Sequence, residues 1–131
     1  MQSLKINLEE EIPLVYTVAS GPMGKRRLKL VFDTGCGVTQ IDTALLENLG
    51  YSAADGIERV VVRGPAGDPH EGYTLQLSGL LVFGHLLPSP IIAAYDFENF
   101  ARFGIHGLLG WDVIKQLHIE LVGPKGLLKI F

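Results

Sequence analysis

Apolar and polar residues alternate with period two in Leu4-Lys5-Ile6-Asn7-Leu8 and again in Tyr73-Thr74-Leu75-Gln76-Leu77, the pattern of half-buried strands. Pro13 to Ala19 and Leu28 to Phe32 read as two further strands around the turn Gly21-Pro22-Met23-Gly24-Lys25-Arg26. Arg59 to Arg63 is β-branched, and with Tyr73 to Leu77 it predicts a long hairpin. The connection between them, Gly64-Pro65-Ala66-Gly67-Asp68-Pro69-His70-Glu71-Gly72, is polar and rich in Gly and Pro. Leu80 to Phe83 and Leu86-Leu87 form another hairpin around Gly84-His85, and Ile91 to Tyr95 is a buried strand. His118 to Val122 and Leu127 to Phe131 close the chain as a hairpin around Gly123 to Gly126. Helical signals are few. Asp42 is placed to cap a short helix, Thr43 to Leu49, that Gly50 ends, and a second helix is expected over Trp111 to Leu117. Asp96 to Gly104 fits a loop or a helical turn. The expected class is all-β with one or two short helices, in one domain over residues 1–131.

Composition sharpens this. Sixteen Gly and seven Pro suit many short strands and tight turns. At 47% hydrophobic and 19% charged, the chain carries more apolar material than an isolated soluble surface needs, as a chain does that buries a face against another subunit. The net charge of −3 gives no basic field for nucleic acid. One Cys excludes an internal disulfide and fits a reducing compartment. The acidic N-terminal stretch has no apolar core of signal-peptide length, and no run approaches the ~20 apolar residues of a membrane span. A cytoplasmic location without membrane association is expected.

Two motifs carry chemistry. The first is Val31-Phe32-Asp33-Thr34-Gly35-Cys36-Gly37-Val38-Thr39, in which Asp-Thr-Gly follows a buried strand and occurs once in the chain. Alone, such a tripeptide is also a polar turn with Asp33 bonded to its own backbone. The second is Gly107-Leu108-Leu109-Gly110-Trp111-Asp112-Val113-Ile114, which alone reads as a strand-to-helix turn with Gly for close packing. Taken together and in this order, with a Gly-tipped hairpin between them, they resemble the retropepsin-like aspartic protease family, and its stand-alone bacterial-type members in particular. The resemblance covers about residues 12–131.

The resemblance implies an acid-protease barrel that functions as a homodimer and hydrolyses peptide bonds without a metal or organic cofactor. Asp33 would be the catalytic carboxylate, Thr34 would bond across the dimer axis, and Gly35 would let substrate backbone approach. The hairpin tip, including Arg63, Gly64, Pro65, Ala66 and Gly67, would be a flap over an extended peptide. Two carboxylates about 3 Å apart share one proton, an arrangement for which aspartic proteases are the reference example, and this chain supplies only one Asp-Thr-Gly. The sequence departs from the family at several positions. Cys36 stands where Ala or Ser is usual, and a thiol donates more weakly than a hydroxyl, which favours activity nearer neutral pH. Gly37 and Trp111 stand where viral members carry Asp and Arg, so the ion-pair brace of those dimers is missing, and Pro65 and Pro69 stiffen the flap. These departures support an alternative, a catalytically weak or inactive module of the same fold that dimerises or binds peptide.

The remaining features take structural readings. His70, His85, His106 and His118 match no metal spacing. Gly35-Cys36-Gly37 lacks the third Gly of a dinucleotide fingerprint, and the basic Gly21 to Arg27 segment reads as a solvated hairpin turn. Cys36 reads as a small packed residue ahead of a redox thiol, since no His pairing activates it. Asp112 reads as a helix cap or a backbone partner, not as a second in-chain carboxylate.

Overall fold

The computed structural model describes residues 1–63, 69–97, 100 and 103–131. Its architecture is all-β, in two sheets, with two short α-helices, Thr43–Asn48 and Trp111–Ile114, among the elements of the described residues. Strand β1 (Gln2–Lys5) pairs antiparallel with β12 (Leu127–Ile130), which pairs with β11 (Ile119–Val122), giving a three-stranded sheet from the two ends of the chain. The other nine strands are β2 (Leu14–Gly21), β3 (Gly24–Phe32), β4 (Gln40–Asp42), β5 (Arg59–Arg63), β6 (Pro69–Gln76), β7 (Gly79–Val82), β8 (His85–Pro88), β9 (Ile91–Tyr95) and β10 (Gly107–Leu109). They lie in the order β5-β6-β9-β4-β10-β3-β2-β7-β8. β5 and β8 lie at the two ends of this order.

Several details differ from the sequence expectation: β1 is Gln2–Lys5 where Leu4 to Leu8 was expected, and β6 begins at Pro69 inside the expected connection. The β7–β8 turn is Phe83-Gly84 and not Gly84-His85. Both turn residues take positive φ (50° and 80°), as a two-residue hairpin turn matched to strand twist requires. Helix α1 runs Thr43–Asn48 with Asp42 at its N-cap position, but the Asp42 side chain makes no cap bond. Asp42 is buried, and its Oδ1 accepts from Phe97 N–H at 2.9 Å instead. Helix α2 is only Trp111–Ile114, shorter than expected.

The core is built where alternation meets the sheet interior. β2 turns Val15, Thr17 and Ala19 inward and leaves Tyr16 exposed, while the second half of β3 buries Leu28, Leu30 and Val31. Leu46, Leu75, Leu80, Ile92, Leu109 and Leu128 complete the same cluster. Thr17 is the misfit. It pairs with Leu28 and Val82 on the buried face, and its Oγ1 is the one buried side-chain N or O atom among the described residues without a hydrogen bond. Thr17→Val keeps the shape and removes the stranded hydroxyl. It is expected to stabilise the fold by about 1 kcal/mol, read as a higher urea midpoint at unchanged slope.

What the fold does for the site is set at β10. This strand runs parallel to β3, with Leu108 opposite Val31 and Leu109 opposite Phe32, and antiparallel to β4, with Gly107 opposite Ile41. It therefore fills the space between the strand that enters the Asp33 loop and the strand that leaves it. Gly107 has φ of 153°, and a Cβ there would collide with the Gln40 carbonyl oxygen, so only Gly lets β10 lie this close to β4.

Candidate active site

Asp33 is the first residue past β3, and its N–H continues the ladder by donating to Leu109 O at 3.0 Å. The chain then turns sharply. Cys36 N–H donates to Asp33 O at 3.3 Å, and Gly35 N–H donates to Asp33 Oδ1 at 2.9 Å. The Asx-turn anticipated as a purely structural reading is thus present. It fixes one carboxylate oxygen and leaves the other without a hydrogen bond among the described residues. Asp33 is half-buried, while Thr34 and Gly35 are exposed. The loop offers a held carboxylate at an open surface, which suits a group that must meet another reactant.

Beneath the loop lies a polar lock between the two motifs. Asp112 Oδ1 accepts from Thr39 N–H (3.0 Å), from Thr39 Oγ1–H (2.8 Å) and from Val113 N–H (2.9 Å). Thr39 Oγ1 in turn accepts from Gly110 N–H at 3.0 Å, and Thr39 is fully buried. Trp111 N–H donates to Cys36 O at 2.6 Å. Gly110 packs so tightly that a Cβ would lie 2.7 Å from Cys36 O and 2.9 Å from Thr39 N, which explains the Gly of the second motif. Asp112 does reach the first turn of α2, as expected, but its larger role spans the chain to Thr39.

Cys36 is held on both sides. Its Sγ–H donates to Val38 O at 3.0 Å, and its sulfur accepts from Gln40 Nε2–H at 3.3 Å. Burial pushes the thiol up from its ordinary value. The bond to Val38 opposes this, and the charges of Asp33 and Asp112 add to it. A thiol so placed stays protonated and is a poor nucleophile, which agrees with its reading as a packing residue.

Asp33, Thr34 and Gly35 lie in the turn that follows β3. Arg63 ends β5 opposite Pro69, so the hairpin exists, but Val60, Val61 and Val62 pair with Gly72, Glu71 and His70, inside the stretch expected to be its connection, while Gly64, Pro65, Ala66 and Gly67 lie outside the described residues. A groove of about 320 Å³ lined by Leu4, Tyr16, Val18, Arg27 and Phe83 contains none of the expected site residues, so it is not the path to Asp33. Among the described residues no group of three His, Cys, Asp or Glu could hold a metal ion, and no helix is long and apolar enough to cross a membrane.

No family model matches this sequence, and no curated protein matches it. Solved structures do. A retropepsin-like aspartic protease from Rickettsia conorii superposes with a TM-score of 0.68 at 13% identity, over 98% of this chain and 90% of that one. The EIAV protease in complex with the inhibitor HBY-793 gives 0.64 at 19% identity, over 91% and 99%. The retroviral protease-like domain of Ddi1 from Leishmania major gives 0.58 at 13%, over 92% and 90%. The chain has the retropepsin-like fold. In this retropepsin-like chain the two sequence motifs are the two halves of one structure, the loop and the platform that carries it. Sequence reasoning gave Thr39, Gln40 and His106 no role in holding the loop. Thr39 and Gln40 alone could have been found locally, because they are polar residues in an apolar stretch, Val38 to Ile41, that leads into a buried strand.

Proposed function

We propose that this retropepsin-like chain is an aspartic endopeptidase that acts as a homodimer, with Asp33 of each copy forming the dyad. One observation carries the reading. A single Asp33 is fixed through one oxygen, left free at the other, and presented on an exposed loop braced from below. Two such loops face to face would share one proton. The ionised Asp33 takes a proton from water as the water oxygen attacks the peptide carbonyl carbon, and the protonated one donates to the carbonyl oxygen. Breakdown of the tetrahedral diol breaks the C–N bond, with the proton passing to the leaving amine. The substrate would be an extended peptide lying between the β5–β6 hairpin and the loop as an added strand.

The exposed apolar surface supports a second copy as partner. Val38 is 44% exposed and Trp111 49% exposed, and both flank the loop, while Leu121 and Phe131 are exposed on the terminal sheet. That sheet pairs β1 with β12 inside one chain, which leaves β1 and β11 as the open edges for a partner. Neither Arg59 with Glu71 nor His118 with Glu120 touches the Asp33 loop or Trp111; the second lies at the β11 edge and is an ion pair only when His118 carries a proton. An uncharged brace of this kind is what favours the second reading, a weakly active or inactive peptide-binding dimer.

The two readings separate by concentration. Sedimentation should show a monomer–dimer equilibrium, and specific cleavage activity should rise with enzyme concentration until dimer saturates. Thr34→Ala should lower activity at dilute enzyme and recover at high enzyme, because it loosens assembly and leaves both carboxylates. A dimer that never cleaves leaves only the binding module, and a strict monomer removes the dyad.

A further inference from the structure

His106 lies just before β10 and is half-buried. It grips Lys29 of β3 twice. Its backbone N–H donates to Lys29 O at 2.8 Å, and its ring Nδ1 accepts from Lys29 N–H at 2.9 Å. Its own carbonyl accepts from Asp42 N–H at 2.8 Å, at the end of β4. One residue therefore ties β10 to both of its neighbours at the point where the β3–β10 ladder starts. The other end of that ladder is the bond from Asp33 N–H to Leu109 O.

We propose that His106 is a positioning residue for the Asp33 loop and that it works only as neutral imidazole, so that acid releases the loop. The inference rests on the protease reading for its consequence in catalysis, but the clamp itself does not. An Nδ1 that accepts from an amide must carry no proton, and a protonated ring would set N–H against N–H. The surroundings favour the neutral form. Burial holds the imidazole below its ordinary value, and Arg26 of β3 adds to this; Asp42 from β4 opposes, and Lys29 of β3 adds a smaller push downward. The sign follows from linkage. The folded state takes up the proton less readily than the unfolded chain, so the contribution of the clamp is whole above the ordinary value of 6.5 and is lost as pH falls below it.

His106→Asn and His106→Ala test this. Asn places Oδ1 where Nδ1 was, an acceptor that does not titrate, and Ala removes the acceptor. The readouts are hydrogen-exchange protection of the Lys29 and Asp33 amides and, separately, the cleavage rate, between about pH 4.5 and 8. In the wild type both protections should begin to fall as pH drops below 6.5, and the rate should follow at lower pH, as the folded ring takes up its proton. His106→Asn should hold both protections level across that range, leaving the rate to follow the titration of the Asp33 pair alone. His106→Ala should lose about tenfold in protection of both amides at every pH. An acid limb unchanged in His106→Asn, or Asp33 protection indifferent to both substitutions, would overturn the proposal. If no variant cleaves at all, the protease reading fails while the exchange data alone decide the role of His106.

Discussion

Replacing Asp33 with Asn is expected to remove peptide hydrolysis, by on the order of 10⁴-fold, and to leave the fold and the dimer in place. The size follows from the loss of both roles at once. In the proposed dyad each copy would contribute the same residue, so the substitution would remove both the base that activates water and the acid that protonates the carbonyl oxygen. The fold survives because the only bond that the Asp33 side chain makes among the described residues is accepted by Oδ1 from Gly35 N–H, and the Asn carbonyl can accept it too. The side chain is half-buried at a loop and takes no part in the core cluster, so stability should change by no more than about 1 kcal/mol. Cleavage of an unstructured protein, with sedimentation and a urea melt on the same sample, checks each part. Turnover near the wild-type rate would place the chemistry elsewhere; lost turnover together with lost folding would say nothing about the dyad, and the melt distinguishes the two cases.

The sequence was most legible where a local rule decides. The apolar run Leu28 to Phe32 became the buried half of β3, and Arg59 to Arg63 became β5. The terminal hairpin formed around its Gly-Pro turn, because alternation and turn chemistry act within a few residues. The loop residues Asp33, Thr34 and Gly35 were legible for the same reason. Legibility failed where one polar side chain had two possible partners. Asp42 satisfied the rule for a helix cap, yet it is buried and its carboxylate accepts from Phe97 N–H, 55 positions away, instead.

The partners hardest to foresee are joined across the fold. Thr39 and Asp112 are 73 positions apart, and Lys29 and His106 are 77 apart. Neither pair has a spacing that periodicity could reveal, and each exists because β10 is inserted between β3 and β4. Four His without metal spacing look alike in a sequence, and only the register of β10 distinguishes His106 from the others.

Asp112→Ala is the second large effect. One oxygen of Asp112 satisfies three donors, Thr39 N–H, Thr39 Oγ1–H and Val113 N–H, and two of them belong to a residue that is fully buried. Alanine would strand the Thr39 amide away from water and cut the tie between α2 and the segment that leaves the loop. The expected loss is about 3 kcal/mol of stability, the cost of one to two buried donors left unpaired. Cleavage should fall further than stability alone requires, because the same lock sets the Gly110 and Trp111 backbone against Cys36. Asp112→Asn is the control. Its Oδ1 can still accept from Thr39 and Val113, at the lower strength of an uncharged acceptor, so the loss should be about 1 kcal/mol with most activity retained. Denaturant midpoints and cleavage rates measured on both variants separate the roles. If alanine and asparagine cost the same, the carboxylate acts through its charge and not as the acceptor that holds Thr39. If neither costs anything, the platform is held by Gly110 packing alone.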